Sequence, residues 1–143
     1  NGAKFRVAGR NASKEFAEFL ISNGIDYLGE LESVVDYYAS GTIFVVPLMS
    51  GSGMRVKIVE AMAAGKVVIT TSVGTEGIAT ENRRNIFIAD SPADFLACME
   101  MLASNRNLYN EISAKAREFI RNNYDNNVIA TRLLDFYKEA VVR

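Results

Sequence analysis

A chain of 143 residues with 49% hydrophobic content suits one domain, able to bury roughly two thirds of its unfolded surface. Its 16 basic and 17 acidic residues nearly cancel, so the charge balance proposes neither nucleic acid nor an anionic membrane as partner, and any phosphate site must be local. With no histidine and one cysteine, Cys98, the chain has no material for a disulfide, a Cys/His zinc set or Cys–His catalysis.

In chain order, Phe5 to Ala8 is a short apolar run closed by Gly9, and reads as a strand. Phe16, Phe19 and Leu20 then recur at helical spacing behind a cap at Ser13, and Asn23-Gly24 stops that helix. Ile25 to Leu28 forms a second strand, and Val34, Val35 and Tyr38 mark a second helix. Thr42 to Val46 is β-branched and aromatic, as expected of a strand buried on both faces, and it ends at Pro47, which cannot donate to a ladder. The glycine-rich stretch Ser50 to Gly53 leads into a helix beginning near Met54, patterned by Val56, Val59 and Ala63 and stopped by Gly65. Val67 to Thr70 is another buried strand, followed by a loop with Gly74 and Gly77, and Ile86 to Ala89 is a last strand. From Pro92, capped by Ser91, the rest is helical with breaks near Asn105 and Asn126.

Strands alternating with helices imply a Rossmann-like α/β fold, a parallel sheet with helices on both faces, and a helical C-terminal tail. Residues 1–143 are expected to form a single domain, with no repeat or linker. The opening Asn1-Gly2 runs almost at once into the first apolar segment, which suggests a fragment of a longer protein. No apolar run approaches the roughly 20 residues that span a bilayer.

In an open parallel sheet, ligands bind beyond the carboxyl ends of the strands, where loops enter helix N-termini. The Ser50–Gly53 loop stands at such a point, and unpaired N–H groups with the positive end of the helix dipole would stabilise a phosphate there. Arg55 and Lys57 place two cations in that first turn, against the dipole; each costs about 0.3–1 kcal/mol unless an anion compensates, or else both side chains simply reach water. Glu60, in an otherwise apolar context, is either a solvated helix glutamate or a carboxylate that accepts hydrogen bonds from the cis hydroxyls of a ribose. Thr71, Ser72 and the backbone of the second glycine loop flank the same crevice, unless that loop is only a turn.

The segment GSGMRVKIVEAMAAGKVVITTSVGTEGI, Gly51 to Ile78, resembles the signature of the group 1, family-4-like, retaining glycosyltransferases of the GT-B fold. Weaker matches extend upstream through Tyr27-Leu28-Gly29 and Val45-Val46-Pro47. The resemblance implies the C-terminal, donor-binding domain of a two-domain enzyme, with its first strand and the acceptor-holding N-terminal domain lying outside these residues. It assigns Glu60 to the donor ribose. Gly53, Met54, Arg55 and Val56 fall where family backbone amides approach the sugar and phosphates, with Lys57, Thr71 and Gly74 beside them and Tyr27 and Leu28 bordering the base. The family carries a first glutamate eight positions before the second, where this chain has Ser52, and Lys66 stands in place of its usual proline.

By the same resemblance the parent protein moves a sugar from a nucleotide-diphosphate sugar, its substrate, to a glycan, lipid or other acceptor with retention. No cofactor and no metal are expected, and none of these residues is assigned a catalytic role. The fragment alone is expected to be inactive. The expected setting is the cytoplasm, the full-length form also suiting peripheral placement at the inner face of the membrane. Two rival readings stay open: a non-catalytic GT-B-like module binding a nucleotide or a protein, and a nucleotide-sugar epimerase.

Overall fold

The structure, a computed structural model, describes residues 3–141. Asn1 and Gly2, on which the expectation of a fragment rested, lie outside them. The chain divides after Tyr37 into two compact units.

In the first unit, β1 (Arg6–Val7) and β2 (Asp26–Tyr27) pair in parallel around α1 (Lys14–Ser22). Both strands are shorter than their apolar runs, yet the ladder continues past them: Asp26 N–H donates to Phe5 O at 3.0 Å, Leu28 N–H to Val7 O at 2.8 Å and Gly9 N–H to Gly29 O at 2.8 Å. Ser13 caps α1 as expected, its hydroxyl accepting from Phe16 N–H at 3.2 Å. Gly24, at φ +74°, turns the chain after the Asn23 C-cap. Helix α2 (Val34–Ser40) crosses the division between the units.

The second unit is built on a three-stranded parallel sheet of β3 (Ile43–Val46), β4 (Val67–Thr70) and β5 (Phe87–Ile88), in that order. β4 spans the residues its apolar pattern marks, and all four are buried. β3, expected to be buried on both faces, is half-buried throughout, because within its own unit it forms the edge of the sheet. On one face, Val67 and Ile69 join Phe87, Cys98, Leu102, Tyr109 and Ile112 in a continuous apolar core. That core is closed by α4 (Pro92–Ser104) and α5 (Arg106–Tyr124). The two-residue period of a strand turns Val68 and Thr70 the other way. Helix α3 (Val56–Ala63) packs against both β4 and α5, burying Ile58, Ala61 and Met62.

Three polar contacts tie α4 and α5 in place. Ser91 Oγ accepts from Asp94 N–H at 3.2 Å to open α4, with Pro92 in its first turn; Tyr109 donates to Thr42 O at 2.9 Å; and Ser113 donates to Gly65 O at 2.6 Å. The expected breaks fall at Asn105, whose side chain caps α5, and at Asn126, where α6 (Asn126–Val141) begins. Among the described residues, no helix is long and apolar enough to cross a membrane.

Candidate functional site

The carboxyl ends of β3 and β4 are stapled together by two threonines. Thr70 Oγ1 donates to Val46 O at 2.8 Å, and Thr71 Oγ1 donates to Leu48 O at 2.5 Å. Thr71 also accepts from Gly74 N–H at 3.2 Å, at the start of a 3-10 turn over Val73–Thr75. Thr71 and Gly74 are both buried, so in this conformation they form the floor beneath the strand ends. Ser72 is exposed, but its N–H and its hydroxyl both donate to Asp90 Oδ1, at 2.7 and 2.9 Å.

Above that floor the two glycine loops meet. A Cβ added at Gly77, where φ is +77°, would stand 3.5 Å from both Cα and N of Met54. The Thr71–Gly77 loop therefore abuts the Gly51–Gly53 loop through backbone. Gly51 and Gly53, at φ +134° and +80°, hold that loop in conformations other residues rarely adopt. The helix is delayed: α3 opens at Val56, where its apolar periodicity begins, rather than near Met54 as expected. Arg55 becomes an extended N-cap with φ −88° and ψ 91°, and its side chain does not cap the helix. Among the described residues no side chain thus caps the first turn, where Ile58 N–H donates to Arg55 O at 2.9 Å, and no acidic residue there offsets the dipole.

Arg55 curls back instead. Its Nη1 donates to Ser52 O at 2.7 Å, and its guanidinium lies so close over Gly51 that a Cβ there would overlap Nη2. Among the described residues, its buried Nε and Nη2 find no acceptor, each an orphan worth about 1–3 kcal/mol of destabilisation. Lys57 is exposed within the first turn of α3 and, among the described residues, pairs with no carboxylate. Ser52, Gly53, Met54 and Val56 are likewise exposed around the loop.

Glu60 lies one turn further along, exposed, and among the described residues no cation pairs with it. Its one hydrogen-bond donor there is Tyr38, whose hydroxyl stands 3.2 Å from Glu60 Oε2 and 3.3 Å from Lys57 O. Sequence reasoning took Tyr38 only as a marker of α2; the available signal was that a buried tyrosine needs a partner for its hydroxyl. Thr70 was read as strand alone, although it forms half of the staple. Tyr27 and Leu28 belong to the first unit, where Tyr27 donates to Gly9 O at 3.3 Å and Leu28 is exposed. Among the described residues, no three Cys, Asp or Glu side chains gather in a way that would hold a metal ion.

The α3 amino end thus gathers Arg55, Lys57 and two abutting glycine loops, with the Tyr38-bound Glu60 carboxylate one turn further along. A model of the family described as "Glycosyl transferases group 1" matches residues 1–105. The chain belongs to the group 1 glycosyl transferases.

A relative from Klebsiella pneumoniae, an uncharacterized 44.6 kDa protein in the cps region, is 31% identical over 96 residues, which is 67% of this chain and 24% of that protein. Among solved structures, HepE of Anabaena in complex with UDP superposes with a TM-score of 0.81 at 15% identity, covering 95% of this chain and 41% of HepE. The C-terminal domain of the group 1 glycosyl transferase LpcC from Francisella tularensis superposes with a TM-score of 0.66 at 19% identity, over 79% of this chain and 62% of that one. The chain thus has the parallel α/β fold of these two structures and spans about a quarter of the length of its curated relative.

Proposed function

We propose that residues 1–143 form one nucleotide-sugar-binding domain, the donor half of an enzyme that moves a sugar from a nucleotide-diphosphate sugar to a glycan, lipid or other acceptor, retaining the anomeric configuration. The observation that carries the reading is the pairing of an α3 amino end without a side-chain cap with Glu60, a carboxylate that no cation among the described residues neutralises, one turn along the same helix. The diphosphate would lie against the first-turn amides, with Lys57 and a rearranged Arg55 opposing its charge as it leaves; drawing out the guanidinium would relieve its two orphaned nitrogens. Glu60 would accept from the ribose hydroxyls. Charge neutralisation by cations and a helix dipole requires no metal, and the acceptor would be held by a separate domain, so this chain alone would bind without turning over. The HepE complex contains UDP, which makes UDP the first nucleotide to test. A cytoplasmic enzyme drawing on cytosolic nucleotide sugars fits this reading, and the cps-region relative suggests polysaccharide synthesis.

Ser52 favours a second reading. It stands where the family's first glutamate is expected, so a module that binds a nucleotide but transfers nothing remains a rival. Calorimetry of the chain with UDP and GDP tests the binding step: one of them should bind below millimolar concentration. Glu60→Ala should weaken it about 10- to 100-fold, the worth of hydrogen bonds to a charged group. No binding at millimolar nucleotide refutes both readings. A full-length protein that binds the donor yet releases no sugar to any acceptor supports the non-catalytic one.

A further inference from the structure

We propose that Tyr38 is a positioning residue for the nucleotide: its hydroxyl holds the Glu60 carboxylate in the orientation that reads the ribose diol. The inference rests on the ribose reading of Glu60 and adds to it the group that makes the contact selective.

An exposed glutamate is an imprecise acceptor. Its side chain samples many rotamers, and ordering them on binding would offset much of what two hydroxyl contacts contribute. Tyr38 removes part of that freedom before a ligand arrives. Its side chain is only 6% exposed, and its ring meets Phe44 edge-on, with centroids 5.3 Å apart and planes at 74°, so the hydroxyl is delivered from a locked rotamer. One O–H is shared between Lys57 O at 3.3 Å and Glu60 Oε2 at 3.2 Å. The same group therefore registers the carboxylate against the first turn of α3, where the diphosphate would sit.

The chemistry of the donor matters as much as its position. A lysine or arginine in this place would neutralise Glu60 and compete with the ligand. A neutral hydroxyl occupies about one of the four lone-pair sites of a carboxylate and leaves its charge intact. Among the described residues Oε1 has no donor, and Oε2 retains a second site. Two adjacent hydroxyls can then bridge the two oxygens of one carboxylate.

The test measures how far the chain prefers UDP over 2′,3′-dideoxy-UDP, and GDP over 2′,3′-dideoxy-GDP, in wild type and in Tyr38→Phe, which keeps the ring and loses only the hydroxyl. Wild type should prefer the ribonucleotide. Tyr38→Phe should cut that preference about fivefold, the worth of one hydrogen bond, and leave dideoxynucleotide affinity unchanged. A merely structural tyrosine would lower both affinities together, or neither, and keep their ratio; that result overturns the inference while leaving the ribose reading standing. Wild type that binds both forms equally, or neither, overturns the ribose reading and this inference with it. Should Tyr38→Phe fail to fold, Glu60→Asp serves: it preserves the charge but draws the carboxylate off the hydroxyl, so an unaltered preference overturns the inference and a lost one supports it.

Discussion

Gly74→Ala offers a severe test of the floor beneath the site. Gly74 has no positive φ, so backbone conformation alone would admit alanine. The added Cβ would nevertheless overlap Thr70 Oγ1 and stand 3.2 and 3.4 Å from Thr70 Cβ and Cγ2. Thr70 has nowhere to retreat: it is fully buried on the central strand, and its hydroxyl is bound to Val46 O at 2.8 Å. Rotating it away would leave a buried hydroxyl and a carbonyl unpaired, costing about 1–3 kcal/mol. Moving the 3-10 turn instead would incur a comparable overpacking cost of about 1–3 kcal/mol. The expected loss is therefore about 1–3 kcal/mol by either route, a sizeable part of the stability of a domain this size. In urea, with a slope of about 1–3 kcal/mol/M, the midpoint should fall by roughly 0.3–3 M. Adding Thr70→Ala removes the overlapped atoms, so the double variant should be clearly less destabilised than the two single losses combined. A Gly74→Ala stability within about 0.5 kcal/mol of wild type, or strict additivity in the double variant, would refute this close packing.

Lys57→Ala should act in opposite directions on stability and binding. Removing a cation from the dipole's positive end should stabilise the chain by about 0.3–1 kcal/mol at low salt, while UDP affinity falls several-fold; a urea titration and calorimetry on one preparation read both, and changes of the same sign would contradict a phosphate role. Burial holds the Tyr109 phenol above its ordinary value, although Arg106 pulls the other way. A folded-state value above the unfolded one means that this contribution is intact below the unfolded value near 10 and is lost as pH rises beyond it. Thermal midpoints of wild type should thus decline on the alkaline side, and Tyr109→Phe, less stable at neutral pH for want of its bond to Thr42 O, should decline less steeply. An identical slope in both proteins would assign the alkaline loss to other groups.

Local chemistry carried most of the element boundaries. The strand Val67–Thr70 is legible because a β-branched run buried on both faces sits between a helix-stopping glycine and a loop. The caps at Ser13 and Ser91 are legible because each serves an amide only three residues away. The glycine loop and the glutamate that follows it were legible as well, since their spacing is a property of one segment.

Tertiary structure decided what those residues touch. Periodicity says that Tyr38 faces inward. Only the approach of α2 to α3 brings its hydroxyl to a carboxylate 22 positions away. Thr71 and Gly74 looked like a loop open to a ligand; the meeting of β3 and β4 commits them to Leu48 O and to each other. Arg55 has the composition of a phosphate ligand, yet positive φ at Gly51 and Gly53 lets its guanidinium fold back over its own loop. Sequence pattern records which side of an element is wet or dry. The partner of a buried polar atom is chosen by packing between elements distant along the chain, and no local pattern encodes that choice.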